Sequence, residues 1–340
     1  MKQIKLTRGL DIPMTGEAQR ALGSVCRPQV YRIVPDHFAG LTPKLMVKEG
    51  DSVKAGSPLF YDKQFASLLV TSPVSGRVVE INRGERRKVM YIAIEADMQT
   101  EYEQFATDGE SVRNLLLRSG LWTLLRQRPY DCIAIPTKQP KAIFISTFDS
   151  APLAPDYEWV LQGQGALLQA AVNALSKMAP VYVGIKTGAK AADFRALKNC
   201  EHYEVCGAHP AGNVGVQINH VLPMGKEDTI FTLNIQDLAL IGRLVVKGIV
   251  DMQKKVAFTG PLAYGKQYYT AAGASACTWD KTDASITLYA KWVEGAQFGI
   301  TGQKMTIGNY VLTVKPVREG GSLRVTSIGN SQVKLEFLPD

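Results

Sequence analysis

The chain has 340 residues, 46% of them hydrophobic and 21% charged, which is the composition of a globular protein rather than a fibrous or disordered one. No uninterrupted apolar stretch approaches the roughly 20 residues of a membrane-spanning helix, and residues 1–8 lack the apolar core of a signal peptide. The sequence therefore predicts a cytosolic or peripheral protein. Its net charge of +8 permits contact with nucleic acid, anionic lipid or an acidic partner.

Residues 1–100 show a repeated β pattern. Short β-forming runs at 43–60 are separated by Gly-Asp and Ala-Gly turns, a second half follows at 69–79, and a further strand is predicted at 88–95. This arrangement resembles the biotinyl/lipoyl-type barrel-sandwich hybrid. Carrier members of that fold modify a hairpin lysine, and Asp62-Lys63 is a superficial match. The segment around it is longer than such a hairpin and lacks its acidic, valine-flanked sequence, which favours a structural barrel.

Residues 101–255 alternate between predicted helices and strands. Leucines between 111 and 126 form one helical face, a strand of the buried parallel type follows at 141–147, and an amphipathic helix is predicted at 165–179. Further strands are predicted at 181–185, 202–206 and 229–235, and a short helix at 191–197. Residues 209–215 are interpreted as a glycine turn between strands. The pattern predicts a Rossmann-like α/β domain with crossover helices.

Residues 256–340 are predicted to form a separate β-rich domain, because runs rich in β-formers are separated there by glycines and Lys/Asp turns.

Few motifs for catalysis or cofactor binding occur. The five cysteines form no CxxC pair and no histidines have metal-ligand spacing, so neither a metal site nor an iron–sulfur cluster is predicted. Gly163-Gln-Gly165 lacks the third glycine of a dinucleotide-binding loop, and no P-loop occurs.

Five motifs occur in an order that carries a family resemblance. They are GLDIP at 9–13, SPVSGRV at 72–78, FDSAPLAPD at 148–156, HPAGNVGVQIN at 209–219 and QDLALIGRL at 236–244. With these motifs the chain resembles, over about residues 1–262, the NqrA family of the sodium-translocating NADH:quinone oxidoreductase.

The resemblance implies one non-catalytic subunit of a respiratory complex that couples NADH oxidation and ubiquinone reduction to sodium export. Such a chain is peripheral, on the cytoplasmic face of the inner membrane. Its partners are the other subunits and quinone, not nucleic acid, and it has no covalent cofactor. The implied domains are a barrel-sandwich hybrid at 1–100, an α/β domain at 101–255 that is related to the flavin subunit of complex I, and a soluble-ligand-binding β-grasp (SLBB-like) domain at 256–340.

An FMN- or NADH-binding flavoprotein subunit is one alternative to this interpretation, and a purely non-catalytic scaffold is another. The related flavin subunit has Ser-Gly-Leu followed by a glycine-rich loop for the FMN phosphate. This chain keeps Ser119-Gly120-Leu121, but no glycine follows as far as Asp131, so no FMN is expected.

Quinone-proximal candidates follow from the predicted topology. In open α/β sheets ligands bind at the carboxyl ends of strands, and a quinone needs an apolar slot with hydrogen-bond donors for its two carbonyl oxygens. Aromatic and polar residues near those strand ends meet that need. They are Tyr31, His37, Phe38, Tyr130, Asp131, Phe148, Asp149 and His209. The bland alternative is that these residues only pack two domains together.

Overall fold

The computed structural model describes residues 2–12, 20, 22–23, 27–151 and 153–258, and the backbone of six short stretches of strand beyond residue 266. The chain divides into two compact units, residues 1–277 and 278–340. Among the described residues, no helix is both long and apolar enough to cross a membrane.

Seven strands between residues 30 and 96 build the predicted barrel. The first nine strands of the chain are β1 (Lys2–Lys5), β2 (Leu22–Gly23), β3 (Val30–Ile33), β4 (Pro43–Leu45), β5 (Ser52–Val53), β6 (Pro58–Asp62), β7 (Leu69–Thr71), β8 (Gly76–Arg83) and β9 (Val89–Ala96). A sheet of order β3-β9-β8-β5 and another of order β4-β6-β7 share one apolar core, in which Leu59, Phe60 and Ile92 are fully buried. The strands predicted at 43–60, 69–79 and 88–95 are thereby confirmed.

The β8–β9 hairpin closes through a strained turn. Lys88 N–H donates to the carbonyl of Glu85 at 3.1 Å, and the two residues between them, Arg86 and Arg87, have φ values of 54° and 60°. This left-handed conformation costs a residue with a Cβ about 1–2 kcal/mol, and turns of this kind normally carry Asn-Gly.

A second sheet forms the α/β domain, confirming the predicted alternation. Its strands are β1, β10 (Arg126–Arg128), β11 (Cys132–Ile133), β12 (Ala142–Ser146), β13 (Val181–Lys186), β14 (Glu201–Cys206) and β15 (Ile230–Asn234). The helices are α1 (Val112–Arg118), α2 (Tyr157–Val160), α3 (Gly165–Leu175), α4 (Ala192–Arg195), α5 (Val214–Val221) and α6 (Ile235–Lys247). The strand order is β1-β14-β13-β12-β15-β10-β11. The first five strands are parallel, and β10 and β11 are antiparallel additions at one edge.

Alternation along β12 separates two cores, one on each face of the sheet. Ile143 and Ile145 face a large core shared with α1, α3 and α6, whereas Phe144 faces a smaller core shared with α5. Helices α3 and α6 come so close that a Cβ at Gly242 would overlap the carbonyl of Leu167. The fold is therefore a three-layer sandwich.

Two local predictions need correction. The helical face predicted over 111–126 ends at Arg118, because Gly120 turns the chain with φ 79° into the short 3₁₀ turn Leu121–Leu124 and then β10. The glycine turn at 209–215 does not join two strands. It leads into helix α5, whose N-terminus is capped by the Asn213 side chain accepting from Gly215 N–H.

The described remainder of the chain is β-structure, as predicted. The strands are β16 (Lys254–Phe258), β17 (Gln267–Ala271), β18 (Gln297–Phe298), β19 (Gln303–Ile307), β20 (Tyr310–Val314), β21 (Ser322–Gly329) and β22 (Gln332–Leu338). In the second unit β20 pairs with β18 and β19, and β21 pairs with β22. The strand predicted at 284–292 lies outside the described residues, and the SLBB-like assignment stays a prediction.

Candidate functional site

A cleft of about 530 Å³ opens at the carboxyl edge of the α/β sheet. The chain leaves β12 for β13 on one side, whereas β15 lies on the other side of β12. Connections therefore diverge between β12 and β15, which is where open α/β sheets bind ligands. Ser146 ends β12 and Asn234 ends β15, and both line the cleft. The cleft is therefore the leading candidate for a binding site in the described part of the chain.

Aromatic side chains and hydrogen-bonding groups alternate around the cleft. Phe38 comes from the barrel, Phe148 follows β12, and Tyr157 begins α2. The remaining polar side chains of the lining are His37, Thr123, Arg126, Arg128, Asp131, Ser146, Asp149, His209, Asn213, Thr232, Asn234 and Asp237. The site thus combines apolar ring surface with donors and acceptors.

His209 is oriented by a chain of hydrogen bonds. Gly212 N–H donates to Ser150 Oγ at 2.8 Å, and that Oγ lies 3.1 Å from His209 Nδ1. The Ser150 hydroxyl proton has no other acceptor among the described residues, so the Ser150 hydroxyl donates to Nδ1. This arrangement gives His209 the tautomer with its proton on Nε2. Since Nε2 has no partner in the described structure, it is a free donor at the cleft.

Tyr157 supplies a second donor. Its hydroxyl oxygen accepts from Asn234 Nδ2 at 3.2 Å, which leaves the hydroxyl proton without a described acceptor. Burial is the main cause that raises the pKa of Tyr157, so the phenol stays protonated well past neutral pH. A ligand in the cleft can therefore meet two donors, one from each side of the switch point.

The charged groups of the cleft nearly balance one another. Arg126 Nε lies 3.4 Å and Arg128 Nη2 3.6 Å from Asp131 Oδ1, so one carboxylate partly neutralises two guanidinium groups. Asp237 forms an ion pair with Lys254. With Asp149 as the remaining lining carboxylate, the cleft carries little net charge. It suits a neutral ligand with carbonyl acceptors better than a phosphate.

A buried network supports the floor of the cleft. Gln217 of α5 donates through Nε2 to Ser146 Oγ at 3.0 Å and to the carbonyl of Ala211 at 2.8 Å, and it accepts from the Tyr203 hydroxyl at 2.7 Å. Burial raises the pKa of Tyr203, so this donor stays protonated. The turn before α5 is therefore held to the end of β12 by interior hydrogen bonds.

The turn also depends on a close backbone approach. A Cβ at Gly212 would overlap Ser150 N and lie 2.8 Å from the carbonyl carbon of Asp149. A side chain at 212 would push apart the two segments that carry Ser150 and His209. Only glycine fits here.

The structure gathers six of the eight candidates predicted from the sequence. His37, Phe38, Asp131, Phe148, Asp149 and His209 all line the cleft. Tyr31 does not, because period-two alternation along β3 turns it into the barrel core, where it is 8% exposed and its hydroxyl has no described hydrogen-bond partner. Tyr130 does not either, because it lies between β10 and β11 and is 81% exposed. Contact of the other six with quinone stays a prediction.

Sequence reasoning missed Tyr157, Ser150 and Asn234 as donors or orienting groups. A signal for Tyr157 was present: Asp156 accepts from Glu158 N–H and Trp159 N–H as an N-cap, which begins a helix directly after the strand-end loop. No comparable local signal marks Ser150, whose two partners lie about 60 residues further along the chain.

A second cleft, of about 540 Å³, lies between the loops that precede α3 and α4. Its carboxylates are already used. Asp193 accepts from Gly163 N–H, and Glu158 accepts from Ala191 N–H, both at 3.1 Å. Asp156 is ion-paired with Arg20 at 2.8 Å. In the described part of the chain, no group of three or more His, Cys, Asp or Glu side chains is placed to hold a metal ion.

Comparisons with known proteins agree with this architecture. The model of the NqrA N-terminal barrel-sandwich hybrid domain matches residues 4–97, and that of the NqrA second alpha/beta domain matches residues 107–250. Together these matches cover more than half of the chain.

Curated relatives match the same part of the chain. The NqrA-type subunit of the Na(+)-translocating NADH-quinone reductase from Neisseria meningitidis serogroup B is 34% identical over 267 residues. The corresponding subunits of Pseudomonas aeruginosa strain UCBPP-PA14 and Serratia proteamaculans are 33% identical over 267 residues and 36% over 273 residues. Each match covers 76% of this chain and 60% of the relative, so the chain spans about 60% of the length of these relatives.

Proposed function

The chain belongs to the NqrA family, and on that premise we propose that it is a subunit of a sodium-translocating NADH:quinone reductase. The support is the pair of family domains in consecutive order and the printed names of the relatives. In this proposal the chain is a peripheral subunit on the cytoplasmic face of the membrane, and the other subunits are its partners. Removing the gene should abolish sodium-stimulated NADH:quinone reductase activity in membranes of the host. Unchanged activity contradicts the proposal.

We further propose that a quinone head group binds in the cleft between β12 and β15. The observation that carries this proposal is the pair of free donors, His209 Nε2–H and the Tyr157 hydroxyl, in a cleft of low net charge. A quinone is neutral and has two carbonyl oxygens as acceptors. Phe38 and Phe148 offer apolar surface to its ring.

The two donors also suit the change in charge on reduction. Electrons added to the ring increase the negative charge on both oxygens, and hydrogen bonds to an oxyanion are stronger than those to a carbonyl. His209 and Tyr157 would therefore hold the reduced form more tightly than the oxidised one. The Ser150 hydroxyl keeps the imidazole aimed through this change.

A flavin in this chain has less support, and we propose that the chain carries neither FMN nor a covalent cofactor. Trp122 follows Ser119-Gly120-Leu121, is fully buried and donates to the carbonyl of Ala134. It fills space that a phosphate-binding loop needs for its backbone amides. Incubation with FMN followed by gel filtration tests this: co-eluting absorbance near 450 nm contradicts it.

The covalent-carrier alternative is also weaker. Asp62 ends β6, is 3% exposed and accepts from Thr42 N–H at 3.0 Å, whereas a modified lysine needs an exposed hairpin on both sides. An intact mass above that of the unmodified chain, after expression with a ligase, contradicts this view of Lys63.

Calorimetric titration of the full chain with a water-soluble, short-tail ubiquinone tests the cleft. We expect saturable binding that His209→Ala weakens about tenfold or more, because a desolvated hydrogen bond is lost. Tyr130→Ala is the matched control and should bind like the wild type. Absence of binding up to the solubility limit contradicts a site made by this chain alone and favours the scaffold alternative.

A further inference from the structure

Two arginines occupy a strained turn of the barrel without any internal bond to justify them. Arg86 and Arg87 are both left-handed at the tip of the β8–β9 hairpin, and neither side chain makes a hydrogen bond or an ion pair with the described residues. Both are exposed. Strain that is retained without a compensating contact points to a role outside the folded chain.

The tip is also a dense positive patch. Arg83 donates to the carbonyl of Arg87 at 3.4 Å, so a third guanidinium lies against the turn. Glu85 is the one acidic residue between positions 83 and 88. The patch therefore offers three guanidinium groups to solvent, and guanidinium groups bind phosphate oxygens bidentately.

An apolar side chain lies beside the patch. Met90 is 41% exposed, and its Sδ lies so near Gly84 that a Cβ there would be 2.9 Å from it. Basic residues around an exposed apolar side chain are typical of surfaces that lie in the headgroup region of a bilayer. An acidic protein surface would be matched by the charges but not by Met90.

The hairpin is joined to the cleft by an ion pair. Lys88 Nζ lies 2.5 Å from Asp36 Oδ2, and Asp36 belongs to the 3₁₀ turn Pro35–His37. His37 and the following Phe38 line the cleft. A partner bound at the hairpin is therefore one ion pair away from residues of the cleft wall.

We propose that the β8–β9 hairpin docks on the headgroups of an anionic phospholipid bilayer through Arg83, Arg86 and Arg87. Each guanidinium takes a lipid phosphate, and Met90 enters the headgroup layer beside them. Through Lys88 and Asp36 the contact places the turn that carries His37 and Phe38 near the membrane. This docking does not depend on which ligand the cleft takes.

Flotation of the full chain with vesicles tests the proposal. Phosphatidylcholine vesicles containing phosphatidylglycerol should bind the wild type, binding should fall as salt is raised, and vesicles of phosphatidylcholine alone should not bind. The double variant Arg86→Asn with Arg87→Gly should bind the anionic vesicles about tenfold or more weakly. The same variant supplies the preferred residues of the turn, so its Tm should rise by about 2–4 °C.

The control removes the same charge elsewhere. Lys177→Gln with Lys198→Gln changes two exposed lysines of the α/β domain and should leave anionic-vesicle binding within about twofold. Absence of vesicle binding by the wild type overturns the proposal and would favour an acidic protein as the partner. Equal losses in the two double variants also overturn it, because binding would then follow net charge rather than the hairpin. A fall in Tm for the hairpin variant would assign the arginines a structural role instead.

Discussion

The two clefts at the carboxyl edge of the α/β sheet are almost equal in volume, at about 530 and 540 Å³, yet they differ in the state of their polar groups. In the second cleft Asp193 and Glu158 accept backbone N–H groups at the starts of neighbouring helices, so these carboxylates hold the fold together. In the cleft between β12 and β15, His209 and Tyr157 are held by one atom each and keep a donor free. Volume therefore does not distinguish a binding site here, whereas unused hydrogen-bonding capacity does.

The largest effect should come from Gly212→Ala. The new Cβ would overlap the backbone of Ser150, and because neither backbone segment can yield freely we expect a loss of about 2–3 kcal/mol in stability. Quinone binding should fall below detection. Chemical denaturation and calorimetric titration measure the two effects.

Gly163→Ala is the matched control in the second cleft. Gly163 has φ +76° with nothing within 4 Å of a Cβ, so this change should cost only the backbone strain of about 1 kcal/mol and leave quinone binding intact. Equal effects of the two alanines on binding would remove the distinction between the clefts.

Tyr157→Phe should separate binding from stability. It removes one free donor while keeping the ring, so affinity for a short-tail ubiquinone should fall about five- to tenfold, the value of one hydrogen bond of about 1–1.5 kcal/mol. The free energy of unfolding should change by less than that. Unchanged affinity in calorimetric titration would exclude the Tyr157 hydroxyl as a ligand contact.

Asp193→Ala should show the reverse pattern in the second cleft. The variant loses the acceptor for Gly163 N–H near the start of α3, which should lower stability by about 1 kcal/mol. Affinity for the quinone should stay at the wild-type value. Weaker quinone binding with unchanged stability would contradict the structural role assigned to this carboxylate.

The smallest predicted effect is an alkaline one. Burial raises the pKa of Tyr157 above the ordinary value of about 10, so the folded state holds this proton more tightly than the unfolded state does. The resulting stabilisation is fully present below pH 10 and is lost as pH rises through the folded-state pKa. Between pH 10 and 11 the wild type should therefore lose more stability than Tyr157→Phe. Parallel curves of Tm against pH would contradict this.

Much of the architecture was predictable because it follows local rules. The glycine-punctuated β runs of residues 43–60 predicted the barrel strands, and the apolar spacing at 165–179 predicted α3. The helix over 111–126 was predicted too long because leucines at helical spacing also suit the 3₁₀ turn and strand that follow Gly120. Periodicity does not report where a left-handed glycine ends a helix.

Candidate residues were predictable where they sit directly at strand ends. Asp149 and Phe148 follow a strand that is recognisable from its buried apolar run, and both line the cleft. Tyr31 was misplaced because its side of β3 depends on which face of the barrel is buried, and a four-residue strand carries too few positions to decide this.

The sequence by itself determined the order of the domains, the family, the strand-end loops and the absence of a glycine loop after Ser119-Gly120-Leu121. Each of these depends on residues near one another in the chain. Only the tertiary structure decided which donors remain free, because Ser150 meets His209 across 59 positions and Tyr157 meets Asn234 across 77. Hydrogen-bond satisfaction is a property of such long-range neighbours, whereas strand and turn propensity is local.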